Sequence, residues 1–350
     1  MSPLPADFDP NAAAAGDEGI FGLPFSESEA ALVYLPVPWE VTTSYGRGTA
    51  DGPAAIAKAS AQIDLYDADV LNPYEAGLFL RPEDPAIRAL NDGTRPDAER
   101  IIAAGGPVEG LESVLERVNT AGAELNERVY AAAKELLDAD KIVGLVGGDH
   151  STPFGSIRAH AERHPGMGIL HIDAHSDTRD AYEGFTWSHA SILRNVLDRI
   201  PGLSTTVQVG IRDFCEQEAE YCAKNEARLR VHYDRDLKAK EYRGERWDGV
   251  CESLVAGLPD TVYITFDIDG LDPRFCPHTG TPVPGGLDFS QANHLLGAVV
   301  RSGRTIVGFD LNEVAPGPGG DEWDANVGAR LLYKLSAWTL ASRGLAKPRP

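Results

Sequence analysis

The feature that most constrains this chain is an alternation. Short apolar runs at 31–37, 141–146, 167–172, 206–211, 229–233, 262–266 and 305–311 are separated by stretches long enough for helices. Most of these runs, such as ALVYLPV and VYITF, are near-continuously apolar, so both faces of most strands must be covered. Strands joined by helices meet that need in a three-layer α/β/α arrangement with a mostly parallel central sheet. The firmest helix signal lies before the second run, where Leu125, Val129, Ala132 and Leu136 share one face. No repeat and no long linker divides the 350 residues, so a single domain over 1–350 is expected. Residues 1–20, with NAAAAGDEG, read as a loosely held arm.

Four of the runs end in chemically loaded sequence: GGDHS (147–151), DAHSD (173–177), DIDGLDP (267–273) and DLNEVAP (310–316). Ligands of open α/β sheets bind beyond the carboxyl ends of the strands, so these distant segments should converge on one edge. In DAHSD the ligand-type residues are two apart, so on extended backbone Asp173, His175 and Asp177 aim one way while Ala174 and Ser176 face the other. His150, Asp267 and Asp269 complete a set of six candidate metal ligands. A catalytic zinc takes about three protein ligands, so six call for two ions sharing carboxylates, typically ~3.5–4 Å apart. Four carboxylates and two imidazoles suit manganese, with nickel, cobalt and zinc left open. His171, inside the strand, is expected to face away from the ligands, and Asp149 and Asp272 to orient ligands or hold loops.

GGDHS, DAHSDT and FDIDGLDP, in this order at strand ends, resemble the ureohydrolase family of arginases and agmatinases, and SYGRGTADGPAAI (44–56) is similar to the family's early Gly-rich loop. The resemblance covers about Ala31 to Leu335 and implies hydrolysis of a guanidino C–N bond with release of urea. It implies one divalent ion on His150, Asp173, Asp177 and Asp267, and a second on Asp173, His175, Asp267 and Asp269. Manganese is the family default, with nickel expected of a guanidine hydrolase. Glu313 in DLNEV matches the carboxylate that pairs with the guanidinium, and His189 in FTWSHAS aligns loosely with a proton-shuttling His. Ala190 and Ser191 follow it, where the agmatinase pattern has Gly-Thr. The family also implies a homo-oligomer, trimer or hexamer.

The chemistry fits the residues. A guanidinium carbon is a poor electrophile, so attack needs hydroxide, which metal coordination supplies by lowering the pKa of water. With two divalent ions, one hydroxide, four Asp and Glu313 the site sits at roughly −2, which favours a cationic substrate. The segment TRDAYEGFTWSHAS after DAHSD differs from the arginase pattern and argues against arginine. Residues 72–110, 320–335 and PVPWEVTTSYG (36–46) look like an agmatinase-like subgroup that includes guanidine hydrolases. Trp187 and Trp323, with Trp39, are candidates to fill the space of a substrate tail, and His278 in the Gly/Pro tract 277–286 is a further candidate near the pocket. Guanidine is the first expectation. A short guanidino amine or acid is the second, and an inactive metal-binding homologue a distant third.

The formal charge of −21 argues against nucleic acid or an anionic membrane as partner; set four acids aside as ligands, and 49 of the 53 still exceed the 32 bases. Cys215, Cys222, Cys251 and Cys276 lack metal or disulfide spacing and read as reduced thiols. With no leader-like or membrane-spanning run, the expected location is the cytoplasm.

Overall fold

The structure, a computed structural model, describes residues 4–5, 8–14 and 19–350. Its strands are β1 (Leu32–Val37), β2 (Val70–Leu71), β3 (Leu78–Leu80), β4 (Ile142–Gly147), β5 (Gly168–Ile172), β6 (Thr206–Ile211), β7 (Leu229–Tyr233), β8 (Thr261–Asp267), β9 (Thr305–Asn312) and β10 (Lys347–Pro348). Eight of them form one sheet in the order β3-β1-β4-β9-β8-β5-β6-β7, every neighbouring pair parallel. All seven apolar runs are strands of this sheet. The eighth, β3, is only three residues long, too short for periodicity to reveal, and lies at the edge beside β1.

The helices are α1 (Gly52–Ser60), α2 (Pro85–Ala103), α3 (Glu112–Asp138), α4 (Phe154–Arg163), α5 (Ile192–Arg199), α6 (Glu216–Lys224), α7 (Asp234–Tyr242), α8 (Trp247–Val255), α9 (Phe289–Arg301) and α10 (Trp323–Ser342). They cover both faces of the sheet. Adjacent residues of β9 show this: Ile306 joins the core cluster that holds Leu335 and Leu340 of α10, whereas Val307 joins the one that holds Ile157 of α4 and Val196 of α5. The helical stripe Leu125, Val129 and Leu136 is buried on α3, and Ala132 is half-buried.

Helix α2 runs through NDGTRP, a segment that reads as a breaker, and Pro96 lies inside it. Proline removes one helix hydrogen bond and is unfavourable there. Tertiary contacts offset this: buried Arg95 donates from Nη1 to the carbonyls of Glu40, Val41 and Thr43, and Asn91 Oδ1 accepts from Glu40 N. The helix thus grips the loop after β1.

Of the expected N-terminal arm, residues 1–3, 6–7 and 15–18 lie outside the described residues. Within the described part, the Phe8 ring lies 6.4 Å from that of Tyr74. Among the described residues no helix is long and apolar enough to cross a membrane. What matters most for function is strand order. The four strands with loaded ends, β4, β9, β8 and β5, are contiguous at the centre of the sheet.

Candidate metal centre

His150 lies three residues beyond β4 and is almost wholly buried. Its Nε2 lies 2.9 Å from Thr265 Oγ1, and that hydroxyl gives its one proton to Asp310 Oδ1 at 2.7 Å. Thr265 must therefore accept from Nε2–H, which fixes the ring with Nδ1 turned the other way. There Nδ1 meets carboxylate oxygens of Asp173, Asp177 and Asp267 at 2.9, 3.2 and 3.3 Å. A lone pair facing three acceptors is stable only with a cation or extra protons among them.

The side chains alone respond by taking up protons. Although burial opposes it, the three carboxylates hold His150 well above the ordinary histidine value. Burial and neighbouring Asp173 push Asp177 up to about 7, and burial and Asp269 push Asp267 well up. Asp173 goes the other way: against its burial, His171 and then His150 hold it well below the usual carboxylate range. Divalent ions relieve the same crowding without protons, so the donor set fits them.

Ligand-type atoms of His150, His171, Asp173 and Asp177 lie within 4.8 Å of one another, and those of Asp173, His175 and Asp269 form a second such group. Asp173 belongs to both. His175 Nδ1 is 3.1 Å from Asp269 Oδ2, which is buried and unsatisfied by any hydrogen bond. Asp267 uses Oδ1 to accept from Asp269 N at 2.8 Å, which leaves Oδ2 for the cluster.

Two details of the expected geometry change. Strand β5 stops at Ile172, so DAHSD is not extended throughout: Asp177 has φ 54°, the left-handed region. His171 does not face away. Its Nε2 lies 2.8 Å from Asp173 Oδ2, because residues two apart on a strand share a face. Of the presumed supporting acids, Asp149 accepts from Ser151 N and Asp272 from Arg274 N, so both hold loops.

Glu313, one residue past β9, also has a positive φ of 62°. It is buried; Oε1 accepts from His150 N at 2.9 Å, and Oε2 has no donor. Burial, then Asp149, push this carboxyl well above its ordinary range. A Cβ on Gly280 would stand 2.9 Å from Oε2, so glycine leaves room beside that buried oxygen.

A cleft of about 130 Å³ opens beside the cluster, lined by His175 and Asp177 together with His189, Ser44, Arg179, Tyr182, Asp213, Phe214 and Thr281. His189 thus stands with two cluster residues; its Nδ1 is 3.5 Å from Thr42 Oγ1, and burial lowers its pKa to about 3. Other candidates lie elsewhere. Trp187 packs on Phe154, 4.9 Å between ring centres, under the Arg199 guanidinium and against Gly122 of α3, where a side chain would collide with the indole. It fills a gap between helices and does not line the cleft. Trp323 is 46% exposed and donates to Arg274 O, Trp39 is buried in the core, and His278 pairs with Asp324 at 2.8 Å.

Several cleft residues escaped the sequence reading. Asp213 and Phe214 had a signal, since Ile211 ends an apolar run as the four loaded motifs do. His175 Nε2 lies 4.0 Å from Asp213 Oδ2. Ser44 and Tyr182 lie in two stretches already singled out, 44–56 and the segment after DAHSD, but their place at the cleft depends on loops whose course only the fold determines.

Comparison with known proteins gives the chain's family and fold. A family model described as "Arginase family" matches residues 30–337. The agmatinase of Bacillus cereus is 31% identical, covering 83% of this chain and 85% of that protein. The N(1)-aminopropylagmatine ureohydrolase of Synechocystis sp. is 29% identical over 89% of this chain and 90% of its own length. The crystal structure of agmatine ureohydrolase of Thermoplasma volcanium superposes with a TM-score of 0.68 at 23% identity, covering 90% and 92% of the two chains, and shares the fold.

Proposed function

The chain belongs to the arginase family of dinuclear-metal hydrolases acting on C–N bonds of linear amidines, and from that premise we propose that it hydrolyses guanidine to urea and ammonia. The observation that carries the choice is the small volume of the cleft beside the cation-fitting cluster, about 130 Å³; Glu313, tied to the cluster through His150 N, adds a buried carboxylate oxygen, Oε2, with no hydrogen-bond partner. His150, Asp173, Asp177 and Asp267 would hold one divalent ion and Asp173, His175, Asp267 and Asp269 the other, manganese by family default or nickel. When bound, such ions supply a water acidic enough to act as nucleophile near neutral pH.

The protein's own groups do the rest. Glu313 accepts N–H bonds from the guanidinium, a charge-assisted contact that fixes the central carbon. Water adds to that carbon, the C–N bond breaks, and the departing nitrogen must gain a proton. His189, neutral and lining the cleft, is placed to relay the proton to that nitrogen. The substrate is a small guanidino cation, and the working enzyme is a single-domain cytoplasmic homo-oligomer, trimer or hexamer.

The names of the relatives favour a second reading, agmatine hydrolysis. Urea release from guanidine, agmatine, 4-guanidinobutyrate and arginine, after reconstitution with manganese or nickel, separates the two. Guanidine should lead agmatine in kcat/KM by at least about tenfold. Faster hydrolysis of agmatine with either ion would return the chain to the second reading, and bound metal without urea from any substrate would overturn both.

A further inference from the structure

Phe214 lines two distinct spaces. Toward the cluster it lines the 130 Å³ cleft with His175 and Asp213. The same residue also lines a second cavity, of about 430 Å³, bounded by Ile211, Arg212, Tyr233 and Arg235, none of which lines the cleft. Its ring is 38% exposed and stacks at 5.0 Å on Tyr233.

The two arginines behind it differ. Arg212 is a strut, donating to the carbonyls of Asp269 and Val283 at 2.7 and 2.8 Å. Arg235 is 83% exposed, with a 3.4 Å contact to neighbouring Asp236 and its guanidinium 5.8 Å from the Tyr233 ring centre, weak exposed contacts that leave its charge available. No carboxylate lines this cavity, although Asp213 stands on the cleft side and Asp234 is buried nearby against Gly285. The larger space therefore favours an anionic group over a cationic one.

We propose that Phe214 is a specificity-determining residue, a wall that confines the cleft to guanidine, and that the cavity behind it accepts the carboxylate tail of a guanidino acid once the wall is removed. This rests on the guanidine reading. Physically, a fixed wall rejects a longer substrate by overlap, whereas the basic cavity selects among long tails by charge.

The test is Phe214→Ala, loaded with metal and checked for metal content, assayed on guanidine, agmatine and 4-guanidinobutyrate. The kcat/KM ratio of 4-guanidinobutyrate to guanidine should rise at least tenfold over wild type, with agmatine gaining less. Adding Arg235→Glu should reverse the order of the two long substrates. An unchanged ratio in a variant with normal metal content would overturn the wall, and a larger gain for agmatine would overturn the anionic cavity. Should the Ala variant lose its metal, Phe214→Leu must move the ratio in the same direction, and no movement overturns the proposal. If wild type proves inactive on guanidine, the wall is judged by whether Phe214→Ala raises kcat/KM for both long substrates, and the anionic cavity by the ratio of 4-guanidinobutyrate to agmatine.

Discussion

His150 and His160 both follow β4, ten residues apart, and both are buried, yet their surroundings drive them in opposite directions. His150 Nδ1 faces three carboxylates and the ring tends to charge. His160 donates from Nδ1 to Ser156 O at 2.8 Å, leaves Nε2 without a partner, and packs edge-on against Tyr263. Burial lowers its pKa to about 4. Burial by itself therefore makes a neutral structural histidine. A buried histidine that remains chargeable needs carboxylates around it, and such a group marks a place for cations.

The largest effect should come from breaking the charged side of this contrast. Asp267→Asn removes one of the carboxylates facing His150, and activity should fall by more than about 100-fold with loss of bound metal. Metal analysis together with urea release checks this; two ions and normal turnover would remove Asp267 from the centre.

The neutral side makes a prediction in pH. A histidine whose folded pKa is depressed contributes stability that is fully present above 6.5 and is lost as pH falls through about 4, because the unfolded chain binds the proton first. His160→Gln should therefore gain up to about 3 kcal/mol relative to wild type between pH 6.5 and 4, read from denaturant midpoints at each pH. In chelator, Asp177 gives the opposite slope: its pKa is raised to about 7, so stability falls as pH rises from about 4 to 7. A constant difference between variant and wild type across the range would show that His160 is already protonated in the fold.

Glu313 sharpens the contrast, since one of its oxygens serves the His150 backbone and the other is free. Glu313→Gln keeps the size and removes the charge. Metal content should persist while kcat/KM drops by the equivalent of about 1.5–3 kcal/mol. An unchanged kcat/KM would separate Glu313 from the substrate. The smallest effect is expected at Trp187. Because it packs between helices, Trp187→Ala should lower stability but change the guanidine-to-agmatine ratio by less than about twofold.

The candidate ligands were legible because each directly follows an apolar run, where a parallel sheet ends and a site begins. The same rule applied to GIRDF would have found Asp213 and Phe214. His171 was misplaced by its position inside a strand, although strict alternation puts it beside Asp173. Helix α2 was hidden by Gly93 and Pro96, whose local cost is offset by Arg95 and Asn91 holding a loop 50 residues earlier in the chain. Local propensity does not include that contact.

By itself, then, the sequence determined the parallel sheet, its loaded edge and the residue types gathered there, since periodicity and side-chain chemistry are local properties. Only the tertiary structure decided which strands are neighbours, that Thr265 and Asp310 fix the His150 ring, that Glu313 keeps one oxygen free, and that Phe214 lines two spaces. Each of these depends on distances between segments far apart in the chain, which are set by how the layers pack and by no short stretch of sequence.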